Sequence, residues 1–273
     1  IDALLCIRFP TYFRDAHPSG NVEKLWSWKA PGRTDPPEAA ARRFGATDDC
    51  KPIRDGRQIL ISSSSGGCAL VDYPSGDVKW FAVVPAAHSI ELLPGDRVVV
   101  AASTGGDRLA LFDLSQSEKP IWETPFKFAH GVVWDEARES LWALGFDVLK
   151  RYRLADWDSR TPSLRLERTY KLPDGGGHDL QAIPGSADLV ATSRETASLF
   201  DRDKGEFRPH PTLKGRRNVK SVTIHPTTGE TFFIQGDTPE WWSRSVKSLD
   251  PERTLPVAGE RLYKARWLLE RKP

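Results

Sequence analysis

The sequence predicts an all-β fold, a six-bladed β-propeller formed by one domain over residues 1–273. The main observation is a hairpin that repeats along the chain: an apolar strand, a turn of small residues and a second strand. This hairpin recurs at residues 58–73, 97–113, 139–154, 187–201 and 230–238. A helical period is nearly absent outside residues 31–46, which favours one all-β unit.

Each repeat contains signals for two further strands. A segment that begins with His or Lys, and in three of four cases has Pro six positions later, precedes most hairpins. A short strand closing on an aromatic residue follows several of them. The first kind begins at His88, His130, His178 and Lys220, and the second ends at Trp80, Trp122 and Phe207. Four strands per repeat is the composition of a propeller blade.

The first residues of the repeats, here called heads, recur at a nearly constant interval. The predicted heads are Lys51, His88, His130, His178, Lys220 and Lys264, with intervals of 37, 42, 48, 42 and 44 residues. Propeller blades repeat about every 40 to 45 residues. Six heads therefore predict six blades, although a β-sandwich or a two-domain β protein would explain the strands if the recurrence were coincidental.

The sixth blade is predicted to combine strands from the two ends of the chain. After Lys264 there is one strand, at 261–269, so we expect the N-terminal segments IDALLCIRF and VEKLWSWKA to supply outer strands and close the ring. The Pro- and Ala-rich stretch 31–46 is predicted to be a connection with one helical turn in PPEAAARRF.

Composition excludes several classes of protein. The chain has 39 Lys plus Arg against 37 Asp plus Glu, so its charge predicts no nucleic-acid partner. No stretch approaches the roughly 20 apolar residues of a membrane helix, so no membrane span is expected. Three cysteines, Cys6, Cys50 and Cys68, exclude a pure disulfide framework and leave one pair open. We expect a monomer. The segment IDALLCIRF lacks the features of an intact signal peptide. The absence of Met indicates that the initiator has been removed.

The heads should converge, because the first strand of every blade lines the central channel. His88, His130 and His178 would then meet at one mouth, where they are candidate catalytic residues and candidate ligands for a divalent metal such as Mn, Zn or Ca. The basic candidates for binding an anionic substrate are Lys51, Lys220, Lys264 and Arg266. The alternative is that each histidine only hydrogen-bonds a turn of the neighbouring blade.

Other residues are secondary candidates. Tyr263, beside Lys264, would have a stabilised phenolate and act as an acid or base, unless it packs in the closing strand. Trp241 and Trp242 would stack on a sugar, unless they fill a blade interface. Asp48 and Asp49 would complete a metal site or form a solvated turn. No nucleophile elbow, P-loop or dinucleotide fingerprint is present.

Several strings resemble a bacterial and fungal propeller family that often occurs in secreted or lipid-anchored proteins beside carbohydrate-degrading enzymes. The strings are WSWKA (26–30), AHSIELLP, ASTGG, AHGVVWDE, LWALG, GHDLQ, NVKSV and YKARW, and the likeness runs from about Trp26 to Trp267. The resemblance implies a secreted or extracytoplasmic location. More loosely, the His-ringed channel is similar in architecture to that of propeller polysaccharide lyases, which act on uronate sugars.

These patterns predict a carbohydrate-active enzyme, a lyase that cleaves a glycosidic bond next to a uronate carboxylate. Cations or a metal would neutralise the carboxylate, and a base would remove the neighbouring proton. The alternative is a noncatalytic propeller that binds a glycan or a protein. A stoichiometric metal in the purified protein would favour the enzyme. A lactonase-like hydrolase is disfavoured because the predicted heads are His and Lys.

Overall fold

The protein is an all-β propeller with five blades. A computed structural model describes the backbone of residues 4–8 and residues 22–33, 35–116 and 118–269 in full. Five four-stranded antiparallel sheets follow one another along this part of the chain. The predicted propeller is confirmed, and the predicted number of six blades is wrong.

The elements before the first blade are β1 (Leu4–Arg8), β2 (Glu23–Trp28), α1 (Glu38–Ala41) and a 3-10 turn (Arg42–Phe44). Blade 1 consists of β3 (Thr47–Ile53), β4 (Gln58–Ser63), β5 (Gly67–Asp72) and β6 (Val78–Val83). Blade 2 consists of β7 (Ala87–Leu93), β8 (Arg97–Ala102), β9 (Arg108–Asp113) and β10 (Trp122–Pro125). Blade 3 consists of β11 (Gly131–Asp135), a 3-10 turn (Glu136–Arg138), β12 (Ser140–Leu144), β13 (Val148–Ala155) and β14 (Ser163–Lys171). Blade 4 consists of β15 (Asp179–Ala182), β16 (Asp188–Thr192), β17 (Ala197–Asp201) and β18 (Glu206–Pro209). Blade 5 consists of β19 (Val219–Ile224), β20 (Thr231–Gln235), β21 (Ser245–Leu249) and β22 (Glu252–Pro256).

The central strands of each blade are apolar on both faces because each blade is packed between two others. In β8, Val98 and Val100 pack toward blade 1, and Val99 packs toward blade 3. This packing explains why the hairpins read as continuous apolar runs rather than strict alternation. The hydrophobic core therefore lies between blades, and the inner strands β3, β7, β11, β15 and β19 surround the central channel.

The predicted sixth blade is replaced by a single extended segment, residues 261–269, here called the tail. Its one β-bridge joins Leu262 to Ser243, and no strand is assigned within it. The backbone N–H of Ala265 donates to Ser221 Oγ of β19, and Gly56 of blade 1 lies against Leu268 and Leu269. The tail thus occupies the place of a sixth inner strand without the three strands that would complete a blade.

The N-terminal strands lie near this junction but do not pair with the tail. β1 and β2 form a separate two-stranded sheet, in which Trp28 packs against Phe44 of the connection. Val22 packs in the cluster of blade 5 that includes Trp267. The predicted helical turn in the 31–46 connection is confirmed by α1.

Two smaller predictions can be compared with the described residues. Cys68 is a buried thiol without a disulfide, which excludes both pairs that would involve it. The side chain of Cys6 lies outside the described residues. Among the described helices, none has the length and apolar character needed to cross a bilayer.

Candidate functional site

A recurring hydrogen bond from a backbone amide to a side chain of the preceding inner strand defines equivalent positions. The Val132 amide donates to Ser89 Oγ, and the Val222 amide donates to Asp179 Oδ2. The tail repeats the pattern, since the Ala265 amide donates to Ser221 Oγ. The residues that precede these positions form the mouth of the channel: Asp48, His88, His130, His178, Lys220 and Tyr263. The predicted head Lys264 therefore lies one residue too deep, at the level of Ser221.

The head of blade 1 is Asp48, and the prediction of Lys51 at this place is wrong in register. β3, β7 and β19 each carry an irregularity in register at this position, so that Asp48, His88 and Lys220 are equivalent. Lys51 lies deeper in the channel, where its ammonium donates to Glu91 Oε2 at 2.9 Å and to the Val132 carbonyl. These partners leave Lys51 no role at the mouth.

The three histidines meet at the mouth, as their spacing predicts. The ring centroids of His88 and His130 are 4.3 Å apart, and those of His130 and His178 are 5.7 Å apart. The His88 Nδ1 lies 2.8 Å from the Ala86 carbonyl oxygen, and His130 Nδ1 lies 3.0 Å from Ser103 Oγ. A carbonyl only accepts, so Nδ1 of His88 carries the hydrogen and its Nε2 is an acceptor.

All three imidazoles are neutral at neutral pH. Burial lowers the pKa of His88 to about 4. Burial, followed by the charge of Lys220, lowers the pKa of His178 to about 3. The pKa of His130 is also well below its ordinary value, because of burial and the two neighbouring histidines. Neutral imidazoles can accept protons or hydrogen bonds.

One side of the mouth carries positive charge without a carboxylate partner. The ammonium of Lys220 donates to His178 Nε2 at 3.0 Å, and burial, followed by the charge of Arg194, lowers the pKa of Lys220 to about 8. No carboxylate of the described residues forms an ion pair with Lys220 or Arg194. Since His178 Nε2 accepts, Nδ1 carries the hydrogen. This N–H is buried and has no hydrogen-bond partner among the described residues. We call Lys220, Arg194 and His178 the basic side of the mouth.

The opposite side of the mouth is acidic. Asp48 Oδ1 lies 3.8 Å from His88 Nε2, and the Ser64 amide donates to Oδ2. Burial, opposed by the hydrogen bonds from Ser64, raises the pKa of Asp48 to about 7. We call Asp48 and His88 the acceptor side of the mouth.

Beneath the mouth lies a compensated charge cluster, the channel floor, formed by Asp49, Asp179, Lys264 and Arg266. Arg266 lies 3.0 Å from Asp49 Oδ1 and 2.7 Å from Asp179 Oδ1. Lys264 donates to the carbonyl oxygens of His88 and His130 at 3.2 and 2.9 Å and lies 3.2 Å from Asp179 Oδ1. Burial lowers the pKa of Arg266, but the carboxylates of Asp179 and Asp49 raise it by more, so the pKa lies above its ordinary value.

The floor changes the interpretation of three predicted site residues. The Lys264 side chain is 0% exposed and that of Arg266 is 5% exposed, so both are engaged within the protein. Tyr263 is also buried, and burial together with Asp48, Asp179 and Asp49 raises its pKa well above the ordinary value. This direction is opposite to the expected stabilised phenolate, since burial and the three carboxylates all disfavour the ionised form of Tyr263.

Exposed aromatic residues surround part of the mouth. Trp241 is 47% exposed, and its ring lies 5.4 Å from that of Tyr263, which contacts His88. On the other side, Phe128 lies 4.0 Å from His130 and contacts the exposed Phe146. Trp242 instead packs against the guanidinium groups of Arg244 and Arg261, which lie 5.1 and 5.2 Å from its ring centroid. Trp241 is therefore the member of the predicted pair that is available at the mouth.

The metal remains a prediction without support from the geometry. Within the described residues, no group of three or more His, Cys, Asp or Glu side chains is arranged to hold a metal ion. The imidazole rings lie against one another and use Nδ1 of His88 and His130 for bonds within the protein.

Sequence reasoning missed Arg194 and two aromatic residues, Phe128 and Phe146. Arg194 lies in the turn between β16 and β17, and the equivalent turns of other blades also reach the mouth, through Ser64 and Ser103. The small-residue turns of the hairpin repeat were therefore an available signal for mouth-lining residues.

Comparison with known proteins identifies one family. A family model described as a family of unknown function (DUF6528) matches residues 7–272. A search of curated proteins found no match to the chain.

Proposed function

Since the chain belongs to this family of unknown function, we propose a function from the geometry of the mouth: the protein binds a carboxylated carbohydrate there as a recognition module. The observation that supports this most directly is the basic side of the mouth. Lys220 is only 5% exposed, and the charge that acts on its ammonium is that of another cation, Arg194. A buried cation without a counterion destabilises the fold, which is typical of a site that a ligand completes.

The chemistry of the basic side favours a carboxylate. Lys220 and Arg194 provide charged donors for hydrogen bonds to an anion, and neither has a carboxylate partner among the described residues. A carboxylate is a planar anion with two acceptor oxygens, so it would satisfy donors from more than one of these groups.

The surroundings favour a sugar over a simple anion. The exposed faces of Trp241 and Phe146 and the neutral imidazoles present apolar and weakly polar surfaces next to the cations. Ligand sites combine such surfaces with a few polar groups that orient the ligand. A uronate sugar offers both an apolar ring face and a carboxylate.

The test is a titration of the protein with D-glucuronate and with D-glucose. We expect binding of glucuronate with at least about a tenfold preference over glucose, because a charge-assisted hydrogen bond contributes about 1.5–3 kcal/mol. Lys220→Met should remove this preference. Lys119→Met is the matched control, because it removes an exposed lysine from the β9–β10 turn at the opposite end of the blade. Equal binding of the two sugars by the wild type, or an unchanged preference in Lys220→Met, would contradict the proposal.

A second candidate is a lyase acting at the same mouth. It is favoured by the neutral state of the imidazoles, which is the form that a general base requires; their low pKa values make them weak bases. The base would remove the proton next to the carboxylate, the glycosidic C–O bond would break to leave a C=C bond, and the departing oxygen would take up a proton. Appearance of the unsaturated product's ultraviolet absorbance would detect this reaction in uronate oligosaccharides. If His130→Ala and His178→Ala each lower the rate by less than about tenfold, these histidines are not the catalytic groups.

A further inference from the structure

We propose that the acceptor side of the mouth, Asp48 and His88, binds two neighbouring hydroxyl groups of the ligand, so that the ligand is a polyhydroxy acid of the sugar-acid type. This inference rests on the proposed anion-binding function of the basic side. It adds a second contact region, with opposite hydrogen-bonding character, and it brings Asp48 into the site.

The first step is the hydrogen-bonding state of His88. Its Nδ1–H donates to the Ala86 carbonyl at 2.8 Å, so Nε2 has a lone pair and acts as an acceptor. No described residue forms a hydrogen bond with Nε2, and the His88 side chain is 17% exposed at the mouth. An acceptor in this position can receive a hydrogen bond only from solvent or from a ligand.

The second step is the position of Asp48. Its Oδ1 lies 3.8 Å from His88 Nε2, which is too long for a direct hydrogen bond. The two atoms therefore form a pair of neighbouring acceptors. A carboxyl oxygen can accept a hydrogen bond whether or not the group is protonated, so this argument does not depend on the charge of Asp48.

The other polar groups around Asp48 are already engaged. The Ser64 amide donates to Oδ2, and the ammonium of Lys264 is shared among the carbonyl oxygens of His88 and His130 and the carboxylate of Asp179. Asp49 is paired with Arg266. These contacts favour an external donor as the partner that completes the acceptor pair.

The two sides of the mouth together require a ligand that carries an anionic acceptor at one place and hydrogen-bond donors at another. Lys220 and Arg194 on the basic side require an acceptor that carries negative charge, whereas Nε2 of His88 and Oδ1 of Asp48 require donors. Neighbouring hydroxyls of a sugar ring supply two adjacent O–H donors, and a uronate carries a carboxylate on the same ring. His130 lies between the two sides, and its ring contacts both His88 and His178, so one ring-sized ligand can reach both.

The experiment compares D-glucuronate with cyclohexanecarboxylate, which has a ring and a carboxylate but no hydroxyls. We expect the wild type to bind glucuronate at least about tenfold more tightly, because buried acceptors left without donors penalise the analogue. Asp48→Ala should reduce this ratio to about threefold or less, and Asp48→Asn, which keeps a side-chain acceptor oxygen, should retain most of it. Asp77→Ala, in the β5–β6 turn at the opposite end of blade 1, is the control for loss of a carboxylate and should leave the ratio unchanged.

The outcomes separate this inference from the proposed function. Equal binding of the two acids by the wild type would overturn the role of Asp48 and His88 and leave anion binding intact. Binding of neither acid would overturn both. If Asp48→Ala does not fold, ¹⁵N NMR of histidine side chains in the wild type replaces it: added glucuronate should shift His88 Nε2, whereas cyclohexanecarboxylate should not, and equal shifts would contradict the inference.

Discussion

Two layers of one channel hold the same kinds of charged side chain and differ in how the charge is balanced. In the floor, Lys264 and Arg266 meet the carboxylates of Asp49 and Asp179, with every charge inside the protein. At the mouth, Lys220 contacts a neutral histidine, and the charge that acts on it is that of another cation, Arg194. Spacing alone predicted that all the basic heads would bind substrate. The comparison shows that compensation of charge, rather than the presence of a cation, distinguishes a structural group from a candidate ligand-binding group.

The floor also links distant blades of the five-bladed ring. The tail brings a cation to carboxylates of two different blades, since Asp49 belongs to blade 1 and Asp179 to blade 4. Arg266 thereby ties the two sides of the channel together across the junction at which a sixth blade is missing. We infer that the tail closes the ring, whereas the mouth is free to serve a ligand.

The largest expected effect comes from breaking the floor. Arg266→Met should lower the free energy of unfolding by about 3–5 kcal/mol, because it leaves two buried carboxylates without their main partner. Chemical denaturation measures this change. Arg216→Met is the matched control: its ion pair with Glu252 is partly exposed and should contribute less than about 1 kcal/mol. Equal losses in the two variants would show that the floor does not stabilise the ring.

The next effect concerns the acceptor side of the mouth and depends on pH. The pKa of Asp48 is about 7 in the folded protein and 3.8 in its ordinary state, so the folded protein holds this proton more tightly. The resulting stabilisation is complete below about pH 4 and is lost as the pH rises through 7. Asp48→Asn should therefore be more stable than the wild type at pH 8, by up to about 4 kcal/mol, and similar to it at pH 4.

Thermal or chemical unfolding at pH 4, 6 and 8 measures this difference. Asp77→Asn, a change of an exposed aspartate, should show no such pH dependence. A wild type that is more stable than Asp48→Asn at pH 8 would mean that the carboxylate is compensated at the mouth, as it is in the floor.

A third effect sharpens the comparison on the basic side. The pKa of Lys220 is about 8, so its ammonium loses its proton as the pH rises through 8. Affinity for glucuronate should then fall by up to about tenfold per pH unit above 8, if the charged form is required. Lys220→Arg should keep its affinity to higher pH, because a guanidinium remains charged. Isothermal titration calorimetry between pH 6 and 9.5 measures both proteins, and parallel curves would exclude Lys220 as the titrating group.

The sequence predicted the repeating part of this molecule better than its closure. Hairpins are recognisable because both faces of β4, β8 and β12 are buried between blades, which produces apolar runs of constant spacing. The convergence of His88, His130 and His178 follows from the same repeat. The head of blade 1 was misplaced although spacing held a signal. Lys51 lies 37 residues before His88, whereas Asp48, which the register places at the mouth, lies 40 residues before it, within the blade period.

The partners of the tail were beyond the reach of local pattern. Arg266 meets Asp179, 87 residues earlier in the chain, and nothing near either residue signals the pairing. Without knowledge of that contact, sequence analysis interprets a cation in the tail as a ligand-binding group. The same limit applies to Tyr263, whose burial and acidic neighbours reverse the direction of the pKa that its sequence neighbour Lys264 suggested.

The smallest expected effect tests whether the aromatic edge belongs to the mouth. Trp241 is 47% exposed and lies against Tyr263, so its indole is available to a sugar face bound above the histidines. Trp241→Ala should weaken glucuronate binding by about two- to tenfold, since aromatic contacts of this kind contribute about 0.5–1.5 kcal/mol, and should leave unfolding nearly unchanged. Leu166→Ala is the control, because Leu166 is equally exposed at 47% but lies on β14, at the outer edge of blade 3. If both variants bind glucuronate like the wild type, the ligand is held by the charged and imidazole groups alone, and the contrast between mouth and floor is one of charge compensation only.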